Sequence, residues 1–278
     1  MDRIHISVVT VCLNAEKDIA RTINSILMQD LTGFEYLIKD GGSDDSTLGI
    51  AEGYSGRFME KGISFRIVSE KDEGIYDSMN RAAELASGEW IMYINAGDEL
   101  FDESVLTHLS SFIMQDADVI YGDAVYLENG KYKLLKAGDS DDFKYKNPIC
   151  HQACVSRTEL VKRYRFDTRY SIAADFDMFL KMYLSGEIRY IKTDDVIAVF
   201  GLGGVSDKLI REREIEFDIS RKRNGLKRVH MPHLQMTAIC ALYFVRRLAV
   251  KILGRVFYSQ KRGWYSDRLE AAGTKKSR

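Results

Sequence analysis

Residues 90–100, WIMYINAGDEL, run five apolar side chains straight into Asn95, Gly97, Asp98 and Glu99. In an open α/β sheet, ligands bind outside the carboxyl ends of the strands, so a buried strand that ends in a carboxylate marks a place to look for one. Three earlier strand-like runs end in the same way. ISVVTVCL (6–13) delivers Thr10 and Asn14, and FEYLIKDG (34–41) opens into Asp40-Gly41-Gly42-Ser43-Asp44-Asp45-Ser46-Thr47. FRIVSE (65–70) is followed by Asp72 and Glu73-Gly74. Any one exit has a plain structural reading, because Asp, Ser and Thr cap helices and glycine makes turns. Asp45 or Ser46 as a helix cap stands as an even alternative. Four exits together point to one shared ligand site.

The chemistry of that edge is acidic. The chain has no GxGxxG after its first strand and no GxxxxGK[ST] anywhere, which disfavours dinucleotide and P-loop binding. Carboxylates suit a divalent cation that bridges a diphosphate, since Mg2+ and Mn2+ take hard oxygen ligands and keep substrate phosphates in their shell. Asp98 then holds the metal, and Asp40 has the alternative of accepting hydrogen bonds from a base or ribose. Further on, SIAADFDMFL (171–180) places Asp175 and Asp177 at the start of an apolar helix, where acids also favour the helix dipole.

The elements that must position these groups alternate. A helix near 16–29 carries Ile19, Ile23, Ile26 and Leu27 at helical spacing, a helix near 45–60 follows the second strand, and one near 75–87 follows the third. Such alternation predicts a mostly parallel central sheet flanked by helices, and VVTV and WIMYI read as strands buried on both faces. The second half differs. VIYGDAVYLENGKYKLL (119–135) reads as two strands joined at Asn129-Gly130, followed by a helix near 175–186, a strand near 188–193 and a Gly-rich loop at 201–206.

Bulk composition narrows the class. A chain of 278 residues with 45% hydrophobic and 29% charged residues is an ordinary globular protein, and its net charge of −1 gives no reason to expect nucleic acid as partner. Cys12, Cys150, Cys154 and Cys240 lack CxxC spacing and read as buried or free thiols of a reducing cytoplasm. The N-terminal apolar run is short and interrupted, so it reads as a strand and not a signal peptide.

Together SVVTVCLNAE, IKDGGSDDST, SEKDEGIYDSMNRAAELASGEW and YINAGDEL resemble the family 2 glycosyltransferases with the GT-A nucleotide-sugar fold, over about residues 4–206. The likeness is strongest to the bacterial colanic-acid, amylovoran and phenolic-glycolipid type. It implies a GT-A domain over 1–206, with a sugar-donor half to about 100 and an acceptor half beyond, and a helical basic extension over 207–278. Thr10, Asn14, Asp40 and Asp45 are then expected to line the pocket for base and ribose. Asp72 and Asn80 lie in the next donor-side block, and Asp98 ends the metal-binding acidic motif, where Asn95 and Gly97 replace common aspartates. The same likeness makes Asp175 the catalytic general base of an inverting transfer from a UDP-sugar, with Mn2+ or Mg2+ as cofactor. His151 and Gln152, together with Gly204 and Ser206 of the loop, are expected on the acceptor or diphosphate side; a structural role for His151 and a plain turn for the loop are the alternatives.

Residues 238–264, AICALYFVRRLAVKILGRVFYSQKRGW, set Arg247, Lys251 and Arg255 on one helical stripe beside apolar residues. The reading is an amphipathic helix on an anionic membrane surface, the alternative being one packed on the domain. It implies a protein peripheral to the cytoplasmic face of the inner membrane, acting on a lipid-linked or glycan acceptor in surface polysaccharide synthesis. A non-catalytic nucleotide-sugar-binding module and a sugar nucleotidyltransferase are the rival functions. The second lacks its expected Gly-rich, Arg/Lys-containing loop after the first strand.

Overall fold

A computed structural model describes residues 6–128, 131–201 and 210–226. The first run, β1 (Ile6–Cys12), is buried along its whole length, as are β2 (Glu35–Asp40) and β4 (Trp90–Tyr93). Near-continuous apolar sequence has this outcome when helices cover both faces of a sheet. Ile6 and Val8 point into one core with Ile19, Ile23 and Ile26 of α1 (Ile19–Leu27), whereas Val9 and Val11 join Met79, Ala82 and Ala83 of α4 (Ile75–Leu85) on the other side. The period-two alternation of a strand thus feeds two cores.

The helix expected near 45–60 is two helices, α2 (Thr47–Glu52) and α3 (Ser55–Glu60). Gly49, Gly53 and Gly56 weaken this stretch by ~1 kcal/mol each relative to alanine in a helix interior. The break lets Phe58 bury, with ring centroids 5.3 Å from Tyr36 and 4.6 Å from Phe65. β3 (Ser64–Ser69) completes the first half of the sheet.

Strand order is β3-β2-β1-β4, then β8 (Cys154–Arg157), β6 (Val119–Glu128), β9 (Tyr190–Gly201) and β5 (Glu99–Leu100), with β7 (Lys131–Leu135) on β6. The first four strands pair in parallel as expected. Beyond β4 the sheet is mixed: β8 is antiparallel to β4 and β6, β5 to β9 and β7 to β6, while β6 and β9 are parallel. The hairpin read from 119–135 is present, with Glu128 opposite Lys131. β5 follows β4 after five residues yet lies at the opposite end of the strand order. Five residues span at most ~18 Å, so the sheet must curl to bring that end back beside α1.

Register aligns the exits. Cys12 pairs with Asp40, and Asp40 with Ser69, so the first three strands end on one line. β8 runs against β4, with Val155 opposite Met92, and its N-terminal end therefore arrives at the β4 exit. A 3-10 turn, His151–Ala153, sits there. α5 (Val105–Ile113) and α6 (Thr158–Tyr164) cover the two faces, and α7 (Ala174–Ser185) carries the Asp175 block.

A further helix, α8 (Ile210–Arg223), packs on α7, with the Phe176 and Phe217 centroids 4.5 Å apart. The chain divides into compact units Met1–Arg228 and Val229–Arg278. Residues 210–223, expected to belong to the extension after 206, are thus part of the first unit, because their apolar and polar faces both find partners on α7. The hairpin tip at 129–130, Gly204, Ser206 and the basic stripe of 238–264 lie outside the described residues. Among the described residues no helix is long and apolar enough to cross a membrane.

Candidate active site at the strand exits

The loop after β4 is held from α1. Thr22 donates its hydroxyl to the Asp98 carbonyl at 2.7 Å and accepts the Gly97 N–H at 2.9 Å. Arg21 Nη2 donates to the Gly97 carbonyl at 2.6 Å. Gly97 has φ of 102°, a conformation that a side chain resists. These contacts fix where the Asp98 carboxylate leaves the backbone.

Two adjacent side chains from the 3-10 turn before β8 then connect distant parts of the sequence. Gln152 Nε2 donates to Asp98 Oδ2 at 3.2 Å, and His151 Nδ1 lies 3.3 Å from Asp175 Oδ2. His151 Nε2 lies 3.4 Å from Asn95 Nδ2, so the Nδ1–H tautomer satisfies both contacts, donating to Asp175 and accepting from Asn95. Burial pushes the half-buried Asp98 carboxyl up to about 6, against the opposing effects of His151, the Gln152 amide and Arg21. Burial disfavours the charged form of His151, but the hydrogen bond and charge of Asp175, with the charge of Asp98, raise it above its ordinary value overall.

Asp175 stands in the first turn of α7 with its side chain 14% exposed. Asp177, read as a helix-end acid, is buried: its Oδ1 accepts from Ser220 Oγ at 2.7 Å and Asn224 Nδ2 at 3.2 Å, and Lys181 Nζ lies 2.6 Å from Oδ2. It braces α8.

The expected nucleotide-pocket residues separate into two groups. Asn14 sits exposed at the rim, in a left-handed conformation (φ 50°) that asparagine tolerates, with its N–H on Ser43 Oγ and its Oδ1 accepting the Asp44 N–H. Asp45 is also at the rim and accepts the Thr47 N–H at 2.9 Å and the Glu16 N–H at 3.1 Å, while the N-cap position of α2 is Ser46, whose side chain makes no cap hydrogen bond. Asp72 Oδ2 lies under Gly41, where a Cβ would come within 2.7 Å of it, and buried Lys39 holds it at 4.0 Å while donating to the Asp40 and Glu70 carbonyls. Gly41 is therefore fixed by close approach.

Thr10, Asp40 and Asn80 form a second group, each hydrogen-bonded to other parts of the protein. Thr10 is fully buried, donating to the Ile94 carbonyl at 2.7 Å and accepting from Tyr36 at 3.0 Å. Asp40, also fully buried, accepts the Gly42 and Ser43 N–H groups at 2.9 Å and Ser69 Oγ at 2.7 Å. Asn80 spans to Phe166, donating to its carbonyl at 2.8 Å and accepting its N–H at 2.9 Å.

Sequence reasoning missed Arg21, Thr22, Tyr76 and Glu216. Arg21 and Thr22 fall on the polar side of an apolar helix stripe, which by itself carries no signal. Tyr76 donates to the Ile172 carbonyl at 2.6 Å, and Glu216 meets the backbone of 171–173; both contacts join segments far apart in sequence.

As oxygen ligands for a cation, this edge offers the Asp98 carboxylate and Asn95 Oδ1, which is buried and has no hydrogen-bond partner among the described residues. No group of three His, Cys, Asp or Glu side chains is placed to hold a metal among the described residues. Such a sparse oxygen set suits a hard divalent cation that takes its remaining ligands from phosphate.

The family described as glycosyl transferase family 2 matches residues 7–163, more than half of the chain. A PGL/p-HBAD biosynthesis glycosyltransferase of Mycobacterium bovis is 30% identical over 210 residues, covering 73% of this chain and 80% of the relative. Among solved structures, S. aureus TarS 1-349 in complex with UDP-GlcNAc aligns with a TM-score of 0.61 at 21% identity, over 80% of this chain and 68% of TarS. The mannosyltransferase PcManGT of Pyrobaculum calidifontis, in complex with GDP-Man and Mn2+, gives 0.61 at 18% identity, over 80% and 65%. The chain spans about two thirds of the length of these solved proteins, and their likeness establishes a shared GT-A fold.

Proposed function

The chain belongs to glycosyl transferase family 2, and from that premise we propose that it transfers a sugar, with inversion, from a UDP-sugar to a glycan or polyprenyl-diphosphate-linked acceptor. The observation that carries this reading is the His151-Gln152 pair, whose neighbouring side chains reach Asp175 at 3.3 Å and Asp98 at 3.2 Å. A carboxylate suited to the sugar-donor diphosphate and one suited to the acceptor hydroxyl are therefore a dipeptide apart.

Base and ribose sit over the β1–β3 exits, against the rim of Asn14 and Asp45 and above Asp72. Asp98 with Asn95 Oδ1 would hold Mn2+ or Mg2+, which when bound would supply Lewis-acid stabilisation of the departing diphosphate. His151, hydrogen-bonded to Asp175 and next to Gln152, lies on the same side. The acceptor hydroxyl, whose pKa lies far above neutrality, attacks the anomeric carbon while Asp175 takes its proton. The bond from that carbon to the diphosphate oxygen breaks with its electron pair leaving on the diphosphate. One displacement inverts the centre, so an α-linked nucleotide sugar yields a β-glycoside. A positioned base of this kind contributes ~10²–10⁴-fold.

UDP is favoured by the TarS complex with UDP-GlcNAc, and a lipid-linked acceptor by the name of the mycobacterial relative, a PGL/p-HBAD biosynthesis glycosyltransferase. The basic stripe at Arg247, Lys251 and Arg255 suits an anionic membrane where such an acceptor resides. The single carboxylate of the NAGD loop keeps a second reading, a nucleotide-sugar-binding module without chemistry; turnover distinguishes the two.

A panel of UDP-, GDP- and dTDP-sugars with Mn2+ tests the proposal by thermal shift. At ~100 times its Kd a ligand adds ~2.7 kcal/mol, or roughly 5–10 °C for a domain of this size. A UDP-sugar is expected to give the largest shift, and Asp98→Asn to remove its Mn2+-dependent part. A panel with no shift for any nucleotide sugar contradicts the proposal.

A further inference from the structure

We infer that Glu216 of α8 is a positioning residue for Asp175, holding the segment that leads into the base helix. The inference rests on the general-base reading of Asp175.

Helix α7 starts without a cap of its own. Its N-cap position is Ala173, whose side chain accepts nothing, and the first N–H groups of a helix need an acceptor. The two acids of the first turn are committed elsewhere, Asp175 to His151 and Asp177 to Ser220 and Asn224. Tyr76 meets the Ala174 and Asp175 N–H groups, and Glu216 takes those of the three residues that lead into the helix. Its Oε1 takes the Ser171 N–H, and its Oε2 takes those of Ile172 and Ala173, all at 2.9 Å. Three successive N–H groups converging on one carboxylate form a nest for negative charge. The Ile172 carbonyl is held separately by Tyr76 at 2.6 Å, so both the donors and an acceptor of this segment are fixed.

Glu216 is itself held on a rigid support. Glu216 and Ser220 fall at i and i+4 on α8, Asn224 follows just past its end, and the latter two grip Asp177 one turn into α7. Beside them, Phe217 packs on Phe176, and the Arg221 guanidinium lies 5.0 Å from the Phe176 ring centroid. α8 therefore grips α7 at both its lead-in and its first turns, and Asp175 lies between those grips. Removing Glu216 leaves the strand exits that bind the sugar donor untouched, but frees the segment that aims the base. Misplacement of ~1 Å costs on the order of 10²-fold in rate.

Full-length Glu216→Ala and Glu216→Gln test the inference with the UDP-sugar selected by thermal shift, in Mn2+, with UDP release as the signal. The inference expects kcat to fall roughly 10- to 100-fold with KM for the UDP-sugar within about twofold of the parent. It also expects added formate, a carboxylate small enough for the emptied nest, to restore part of kcat in Glu216→Ala. Both results are required. A kcat within about twofold of the parent overturns the inference, and so does a fall in kcat that formate leaves unchanged or that raises KM to the same degree. Should Glu216→Ala not fold, the isosteric Glu216→Gln decides alone by the split between kcat and KM. Asp175→Asn run alongside separates the layers: if it turns over like the parent, the general-base reading falls and takes the inference with it. If Asp175→Asn is inactive while Glu216→Ala is unimpaired, only the inference falls.

Discussion

Asp40 accepts hydrogen bonds from two backbone N–H groups and Ser69 while wholly shielded from water. Burial alone would raise its carboxyl, but the bonds from Ser43, Ser69 and Gly42 outweigh it and hold the group below its ordinary 3.8. A carboxyl whose folded pKa is depressed stabilises the fold fully above its unfolded value, and loses that contribution as pH falls through the folded pKa. Asp40→Asn turns an amide toward N–H donors at a cost of ~1–3 kcal/mol. The gap in melting temperature between parent and Asp40→Asn should therefore be constant from neutral pH down to about 5 and narrow below about 4; a gap independent of pH would contradict the assignment. Asn80 gives a second test, since its amide is used at both ends by Phe166. Asn80→Ala should lower the melting temperature and leave UDP-sugar affinity within about twofold, whereas a selective loss of affinity would restore its place in the nucleotide pocket. The sequence revealed that polar groups gather at this edge, because residue type and strand period both speak there. It could not divide wall from ligand contact, because that depends on which backbone N–H groups the neighbouring strands leave unpaired.

At the scale of elements, the loop that presents Asp98 is shaped from helix α1. Thr22→Val keeps the shape of the side chain and removes the hydroxyl that joins the Gly97 N–H to the Asp98 carbonyl. Leaving a buried N–H unpaired costs ~1–3 kcal/mol. The Mn2+-dependent part of the thermal shift should shrink beyond the fall in the melting temperature of the free protein; an unchanged shift would remove this loop from ligand binding. Strands β1 to β4 and helices α1, α4 and α7 were legible because apolar periodicity is strong in each. The split of 45–60 into α2 and α3 was foreshadowed by its glycines, though helical propensity on either side concealed it. β8 was not legible: CVSR has no pattern of its own, and only its antiparallel place beside β4 brings His151 and Gln152 to the site. α8 read as part of a basic tail because its contacts with α7 rest on Glu216, Ser220 and Asn224, polar residues that a sequence pattern assigns to solvent.

At the scale of the whole molecule, the lipid-linked acceptor proposed above calls for a surface that binds an anionic membrane. The tail from residue 238 is basic and apolar by turns, with Arg246, Arg247, Lys251, Arg255, Lys261 and Arg262 and no acid between 246 and 264. Each such residue close to an anionic surface adds ~1 kcal/mol. A chain ending near residue 235 should lose sedimentation with anionic liposomes while keeping the UDP-sugar thermal shift; equal sedimentation of the two forms would place membrane binding elsewhere. As the proposed general base, Asp175, hydrogen-bonded to His151 next to the Gln152 that reaches Asp98, takes the acceptor proton during sugar transfer. Turnover and UDP-sugar binding measured side by side for parent and Asp175→Asn test it most directly. The account predicts a loss of ~10²–10⁴-fold in turnover with UDP-sugar affinity within about twofold; turnover equal to the parent's would contradict it.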